Sequence, residues 1–535
     1  MADALSRRLD GLHPRVVVAV VLALHLLLVV LALNPAPHTG GDNAGYVALG
    51  RSLLEHGRYL SVWQPGSPPH TQYPPVFPAL LAAGMVLGLH SWLALKLVTV
   101  LCSGVAVAFT FLWLDRRTGR ATALGVTLLL AVAPGVLENA HWILSDVPFW
   151  AFTMMALWAF QDADDDRRFA VAAAATVLAY FTRSAGLPLV LAALAWLMLR
   201  RRWRRAAVLA AVFVPLAGVW WLRAHHAGGM PYLQQFLAVD PYTPALGRIG
   251  PGDLLRRVRV NGATYAGTLL PKMLIDAAGL VPAIVAVLLV ALGTVGWAMR
   301  LRRPGLAELF LPLYVGVLLV WPQVWAGERF LLPVLPILLA LAAEAVLALG
   351  RRAGRRAAAT TAFVALACLL VAAAPADVML ARRGGSCMTR YRRGQPYACV
   401  PSAFRDFLHV AEWARSHLPP DAVVISRKPR IFYVMSDRRS EMFPLDREPG
   451  TLLALAERTG ARYVVLDHLD EVSLFLLETL ARRPGAFCTL FYTAPDRATM
   501  LGIRPGTGAS PGGAETRGGQ VVLKFTRCGS GYLAR

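Results

Sequence analysis

The sequence predicts a mainly α, polytopic transmembrane helical bundle of about eleven spans. Interfacial helices occupy its first outer loop, and a small soluble α/β domain lies at its C-terminal end. Three observations carry this expectation. Of the 535 residues, 56% are hydrophobic and the mean hydropathy is +0.51, more apolar weight than a soluble domain carries. The apolar residues fall in runs near the length that crosses a bilayer, about 17–25 residues. After residue 375 the long runs stop, and helix-like and β-branched segments alternate.

The apolar runs lie near 15–33, 93–114, 121–137, 147–160, 169–182, 187–199, 206–222, 279–299, 306–324, 330–349 and 357–375. The first follows a basic start and has no small-residue cleavage site after it, so it reads as a retained helix and not a signal peptide. The formal net charge is +22, but the basic residues cluster in short blocks between apolar runs. These are "DRRTGR" (115–120), "RRRWRR" (200–205), "RLRRPG" (300–305) and "GRRAGRR" (350–356). Such blocks mark the cytoplasmic face of a membrane protein. No basic face with interleaved aromatics appears, which argues against nucleic acid as a partner.

A further run, "VFPALLAAGMVLGLH" (76–90), is decided by parity. If it crosses, all four basic blocks lie opposite the basic N-terminus; if it stays at the interface, they share its side. The second arrangement obeys the charge rule, so 76–90 is predicted to be interfacial or re-entrant. The N-terminus is then cytoplasmic. The outer segments are 34–92, 135–146, 182–186, 223–278, 326–330 and everything after about 376. The predicted division is a transmembrane domain over 1–375 and an extracytoplasmic domain over 376–535, in the inner (plasma) membrane.

Within the outer domain, "PDAVVISRKPRIFYVMSDRRSEMFP" (420–444) reads strand, turn, helix, and "TLLALAERTGARYVVLDHL" (451–469) reads helix then strand. Four of the six cysteines lie there, and an oxidising exterior permits Cys387–Cys399 and Cys488–Cys528 bridges. Cys102 and Cys368 lie within spans as packing residues. No CxxC pair supports a zinc site. The Gly-rich "GTGASPGGAETRGG" (506–519) does not open a helix after a strand, so it reads as a flexible loop and not a phosphate cradle.

Charged residues are sparse outside, yet most outer loops keep one or two near the membrane: Asp42, Glu138 and Asp146, Arg183, and Glu328 with Arg329. Ionisable groups at that boundary pair or bind something, because burial beside lipid costs free energy; capping and snorkelling are the plain alternatives. Asp42 sits after Gly40 and Gly41, on a loop the glycines make flexible. Beyond it Tyr46, Leu49, Leu53 and Leu54 share one helical face, which suits a helix on the bilayer surface. A carboxylate there can take a proton from a hydroxyl or hold a divalent cation such as Mg or Mn; which metal, if any, the sequence leaves open. Arginines at the same depth suit a lipid phosphate. His38, His70 and His141 read as solvated loop histidines.

In order along residues 10–375, "GGDNAGYVALGRSLLEHGRYL", "QYPPVFPALLAAG", "LSDVPFWAFTMMAL", "YFTRSAGLPLVLAAL" and "GERFLLPVLPILLAL" resemble the GT-C glycosyltransferases of the protein O-mannosyltransferase and aminoarabinose transferase type. The resemblance implies a catalytic acid in the first outer loop, matching Asp42, and a polyprenyl-phosphate sugar donor. It also implies an acceptor hydroxyl or amine, whether on a glycan, lipid or protein, and inverting transfer. Two positions depart from relatives: Asn43 stands where many have a second acid, and Tyr73 where some have lysine before the paired prolines. In that reading Asp42 is the base, Arg329 and then Arg183 bind the donor phosphate, and Glu138, Asp146, Tyr73 and Glu328 are possible substrate or metal contacts. The rival expectation is a transporter or lipid flippase. That class places paired broken helices and polar groups at the midplane, whereas here the internal ionisable residues His25, Lys96 and Glu344 look isolated. A scaffold presenting the outer domain is a third reading, and it leaves Asp42 unexplained.

Overall fold

The computed structural model describes residues 13–228, 231–351, 354–493, 498–504, 513–517 and 520–533. The basic residues of the first twelve positions and part of the 350–356 block lie outside them. Each of the eleven apolar runs is helical, as lipid requires of chain that must satisfy its own backbone. The helix α1 (Pro14–Ala32) leads to a loop holding α2 (Asp42–His56) and α3 (Val76–Val86). There follow α4 (Trp92–Thr118), the pair α5 (Arg120–Val132) and α6 (Pro134–Ala140), then α7 (Asp146–Phe160), α8 (Asp166–Thr182), α9 (Leu187–Leu199) and α10 (Trp203–His226). The stretch 223–278 holds the short helices α11 (Pro231–Leu237), α12 (Pro251–Thr264) and α13 (Leu270–Ile275). The bundle ends with α14 (Leu280–Arg300), α15 (Leu306–Val320), α16 (Leu335–Gly350) and α17 (Arg355–Arg392).

Among the described residues, five helices are long and apolar enough to cross a membrane: α1, α4, α10, α14 and α17. The bent pair α5–α6, broken by 62° where Pro134 cannot continue α5, makes a sixth if it is one span. The helices α7, α9, α15 and α16 are apolar but shorter. The chain is a multi-pass membrane protein. Its outer helices present aliphatic side chains such as Val219, Leu280 and Val371 outward, while α4, α7 and α8 form the packed centre. Where helices approach closely the contact residue is glycine: a Cβ on Gly296 of α14 would collide with the Leu341 carbonyl of α16. Such small-residue contacts are what packing in lipid favours.

At one end of the bundle the basic blocks meet. Arg117 reaches Glu308 at 2.5 Å and Glu344 at 2.8 Å, and Arg300 reaches Glu344 at 2.8 Å. Arg120 pairs with Asp115, Arg116 with Asp162, and Arg202 and Arg205 with Asp164 and Asp166. Glu344 is therefore not an isolated charge, as the sequence suggested, but the hub of two arginines. His25 is likewise engaged, bonded to the Ala131 carbonyl and Ser103, and the Lys96 ammonium donates to the Asn34 carbonyl.

The other end carries the C-terminal elements. The last bundle helix does not stop near residue 375; it passes through Pro375 to Arg392, so the expected boundary falls inside α17. Then come α18 (Ser402–His417), β1 (Val423–Ile425), α19 (Pro429–Ser436), β2 (Arg439–Glu441), α20 (Pro449–Thr459), β3 (Tyr463–Leu466), α21 (Ser473–Arg482), β4 (Phe487–Tyr492) and β5 (Thr499–Ile503). The sheet order is β2-β1-β3-β5-β4, with β1 parallel to β2 and β3, and β5 antiparallel to β3 and β4. A hairpin of β6 (Gly513–Arg517) and β7 (Gln520–Lys524) follows. Part of the Gly-rich segment expected to be a loop is thus strand, and the rest lies outside the described residues. Disulfides join Cys387 to Cys399 and Cys488 to Cys528.

The two-residue strand period splits the sheet's side chains between two cores. Ile425, Val464, Leu466 and Leu501 pack with α20 and α21. Val424, Tyr463, Val465 and Met500 pack with α18 and α19 and with Tyr46, Leu49, Trp63, Tyr73 and Phe77 of the first outer loop. The soluble domain and that loop therefore share one hydrophobic core. This overturns the bilayer-surface placement of α2: Asn43 to Gly50 are buried on every side, and only its last turns are exposed.

Candidate active site

Asp42 is not on a flexible loop. It is the first residue of α2, with Gly41 as N-cap, where the helix dipole favours a negative charge. Asp146 occupies the equivalent place in α7. The Tyr73 hydroxyl donates to Asp42 Oδ1 at 2.6 Å. Arg329 spans the two acids, with Nη2 3.4 Å from Asp42 Oδ2 and Nε 3.8 Å from Asp146 Oδ2. Arg183 lies beyond it, 2.8 Å from Asp146 Oδ1 and donating to Ser145 Oγ at 3.0 Å. Tyr46 closes the floor through a 2.8 Å hydrogen bond with Ser145 Oγ.

Arg329 owes its aim to a 3-10 turn over Glu328–Leu331. Three residues per turn swing neighbouring side chains about 120° apart, so Arg329 faces Asp42 while Glu328 pairs with Lys272 at 3.3 Å. Tyr314 donates to the Phe330 carbonyl at 3.1 Å and pins the turn. Both Arg329 and Arg183 sit 5.1 Å over the Phe330 ring.

Five residues picked out by sequence thus stand together: Asp42, Tyr73, Asp146, Arg183 and Arg329. Glu138 and Glu328 do not join them. Glu138 accepts from the Trp142 indole, one helical turn on, at 3.2 Å. The histidines are not solvated as expected. His70 is buried, bonded to Ser61 Oγ and accepting from the Tyr73 amide; His141 is buried against the Asn34 amide and the Leu137 carbonyl. His38 lies beside Asp42; burial, then the Arg329 charge, push its pKa down to about 4. It is neutral at neutral pH, and its Nδ1 accepts from the Gly40 amide.

Sequence reasoning missed Arg430, the second residue of α19. Its guanidinium donates to the Tyr73 hydroxyl and, at 2.6 Å, to Gln72 Oε1, and lies 3.5 Å from Asp42 Oδ1. The only local signal was a basic "RKPR" at a helix start. Burial works to raise the Asp42 pKa, but the Arg329 and Arg430 charges and the Tyr73 hydrogen bond outweigh it and hold the carboxyl below its ordinary value. With 40% of its surface open, the side chain stays reachable. Three guanidiniums against two carboxylates leave the cleft with one excess positive charge.

Both carboxylates already carry guanidiniums, and no three His, Cys, Asp or Glu side chains converge among the described residues.

The family model of the dolichyl-phosphate-mannose-protein mannosyltransferases matches residues 72–222, a segment that includes Tyr73, Asp146 and Arg183. The fold is similar to ArnT from Cupriavidus metallidurans bound to undecaprenyl phosphate, at 16% identity and TM-score 0.52, covering 91% of this chain and 97% of that one. It is also similar to the Archaeoglobus fulgidus oligosaccharyltransferase in complex with Zn and sulfate, at 14% identity and TM-score 0.53, covering 83% and 67%. The chain shares its fold with these two solved proteins. Within this shared fold Asp42, Arg329 and Arg430 fall outside the segment that the family model matches and join the cleft through the tertiary structure alone. No curated protein matches the sequence significantly.

Proposed function

We propose that the protein is a membrane glycosyltransferase that moves a sugar from a polyprenyl-phosphate donor to an acceptor hydroxyl or amine. The observation that carries this reading is an accessible carboxylate, Asp42, set among three arginines at the end of the bundle that bears the soluble domain. In the reaction Asp42 takes the acceptor proton as the acceptor oxygen or nitrogen bonds to the anomeric carbon. The bond from that carbon to the phosphate oxygen breaks on the opposite face, so configuration inverts. Polyprenyl phosphate leaves with one more negative charge than the phosphodiester had. Arg329 and Arg183 meet that charge, the role in which preorganised cations lower a barrier most, and guanidinium suits phosphate bidentately.

The site faces the extracytoplasmic side of the plasma membrane in this proposal, because the basic blocks gather at the opposite end, where the charge rule puts the cytoplasm. Support for a lipid-phosphate donor is the excess positive charge of the cleft, and the similarity in fold to an enzyme solved with undecaprenyl phosphate. Incubating the purified protein with radiolabelled polyprenyl-phosphate sugars and membrane acceptors tests it. Label transfer with release of polyprenyl phosphate is the expected result. Failure to release lipid phosphate from any such donor would overturn the proposal.

A further inference from the structure

We propose that the C-terminal domain completes this site, with Arg430 shared between Asp42 and the phosphate of an incoming lipid-phosphate sugar. The proposal rests on the function proposed above and assigns the domain a part in it.

Arg430 leaves its own domain to reach the cleft. Its neighbours Ile431 and Phe432 are buried in the core of the domain, while its side chain crosses Gly45 of α2. A Cβ at Gly45 would stand 2.9 Å from Arg430 Cδ and 3.2 Å from Tyr73 Cε2, so any side chain there would push against the arginine stem. The guanidinium lies 4.8 Å from the Tyr73 ring centre and 5.2 Å from that of Trp63, and Gln72 orients it. The docking that brings it there is built into the backbone. The Ser440 amide of edge strand β2 donates to the Trp63 carbonyl at 2.6 Å, and Gln64 Nε2 donates to Glu441 at 3.2 Å.

Without donor, Arg329 and Arg430 both lie against Asp42 and make it a poor base. A phosphodiester brings one negative charge, which matches the excess charge of the cleft. Its oxygens compete with Asp42 for the same guanidiniums, since charge-assisted bonds to phosphate are strong. As the arginines turn to phosphate, Asp42 regains basicity. The base therefore becomes competent only when donor is in place, and donor binds before the acceptor is activated.

The test uses the purified full-length protein, with polyprenyl monophosphate binding and the pH profile of kcat/KM as readouts. Arg430→Ala should weaken polyprenyl monophosphate binding by about 10–100-fold, the range for one charged hydrogen-bonding partner. Its acidic limb of kcat/KM, which reports the free enzyme, should move to higher pH. Arg430→Lys should recover part of the affinity. Gly45→Val should reproduce the loss with Arg430 still present, which keeps the proposal testable if Arg430→Ala misfolds. Equal affinity and an unmoved limb in folded Arg430→Ala or Gly45→Val would overturn it. Absence of binding by the wild-type protein would instead overturn the glycosyltransferase reading itself.

Discussion

Replacing Asp42 with Asn separates the charge of this residue from its shape. The amide oxygen can still accept from Tyr73, which now donates to Asp42 Oδ1 at 2.6 Å, so the turn into α2 should hold. What is lost is the proton acceptor. General-base assistance is worth about 10²–10⁴-fold, or roughly 2.7–5.4 kcal/mol at about 1.36 kcal/mol per decade. Donor affinity should move the other way: Arg329 and Arg430 lose a competitor, and the excess charge of the cleft rises by one. Single-turnover transfer should therefore fall by at least about 100-fold, while polyprenyl phosphate binds as well as in wild type or better, with unchanged elution in detergent. Few structural lesions would weaken turnover and spare or strengthen donor binding together. Retention of more than about a tenth of the rate would refute the argument, being less than any general-base term accounts for. Asp146 is the poorer candidate for the base, because its side chain is only 4% exposed and held by Arg183 at 2.8 Å. A dead Asp146→Asn beside an active Asp42→Asn would reverse the two roles.

Arg329→Lys keeps the charge without the planar fork, so it should weaken polyprenyl phosphate binding less than Arg329→Ala; equal affinity in Arg329→Ala and wild type would remove this arginine from the site. The lowered Asp42 pKa contributes stability that is complete above the unfolded value of about 3.9 and lost as pH falls through the folded one. The melting midpoints of wild type and Asp42→Asn, apart at neutral pH, should thus converge in acid. Arg117→Ala leaves Glu308, 1% exposed, and Glu344, 12% exposed, without their shared partner, and should destabilise the bundle by about 3–5 kcal/mol, read as a lower unfolding midpoint in detergent. Reporter fusions after Arg120, Arg205 and Arg303 should report cytoplasm and a fusion after Gly385 the exterior; an external signal at Arg120 would mean that the 76–90 run crosses.

The helices were legible because lipid imposes one rule on them, and the apolar runs obey it. The placement of 76–90 rested on charge, and the structure gives an 11-residue apolar helix there, Val76–Val86. Site residues were legible where a loop near the membrane kept a lone charge, as with Asp42, Asp146, Arg183 and Arg329. The same signal picked Glu138 and Glu328, since composition does not say which way a side chain turns. A Trp one helical turn away captures the first, and the pitch of a 3-10 turn sends the second to Lys272. Arg430 had no such signal, because its partner Tyr73 is 357 residues away and only the packing of a sheet face onto the first outer loop brings them together. The amphipathic reading of α2 failed for the same reason: the cover over its outer side comes from the far end of the chain.

That distant origin has a consequence for synthesis. The ribosome makes Asp42, Tyr73, Asp146, Arg183 and Arg329 first, and α17 and the C-terminal domain last. At about 5–20 residues per second, Arg430 emerges roughly 20–80 s after Asp42. Until then the cleft holds two acids and two arginines, electrically balanced, and lacks the excess positive charge that Arg430 adds. A stalled or prematurely terminated chain, already threaded into the membrane, would hold the donor phosphate about 10–100-fold more weakly. The cleft gains its full positive charge only after the domain that carries Arg430 has been made.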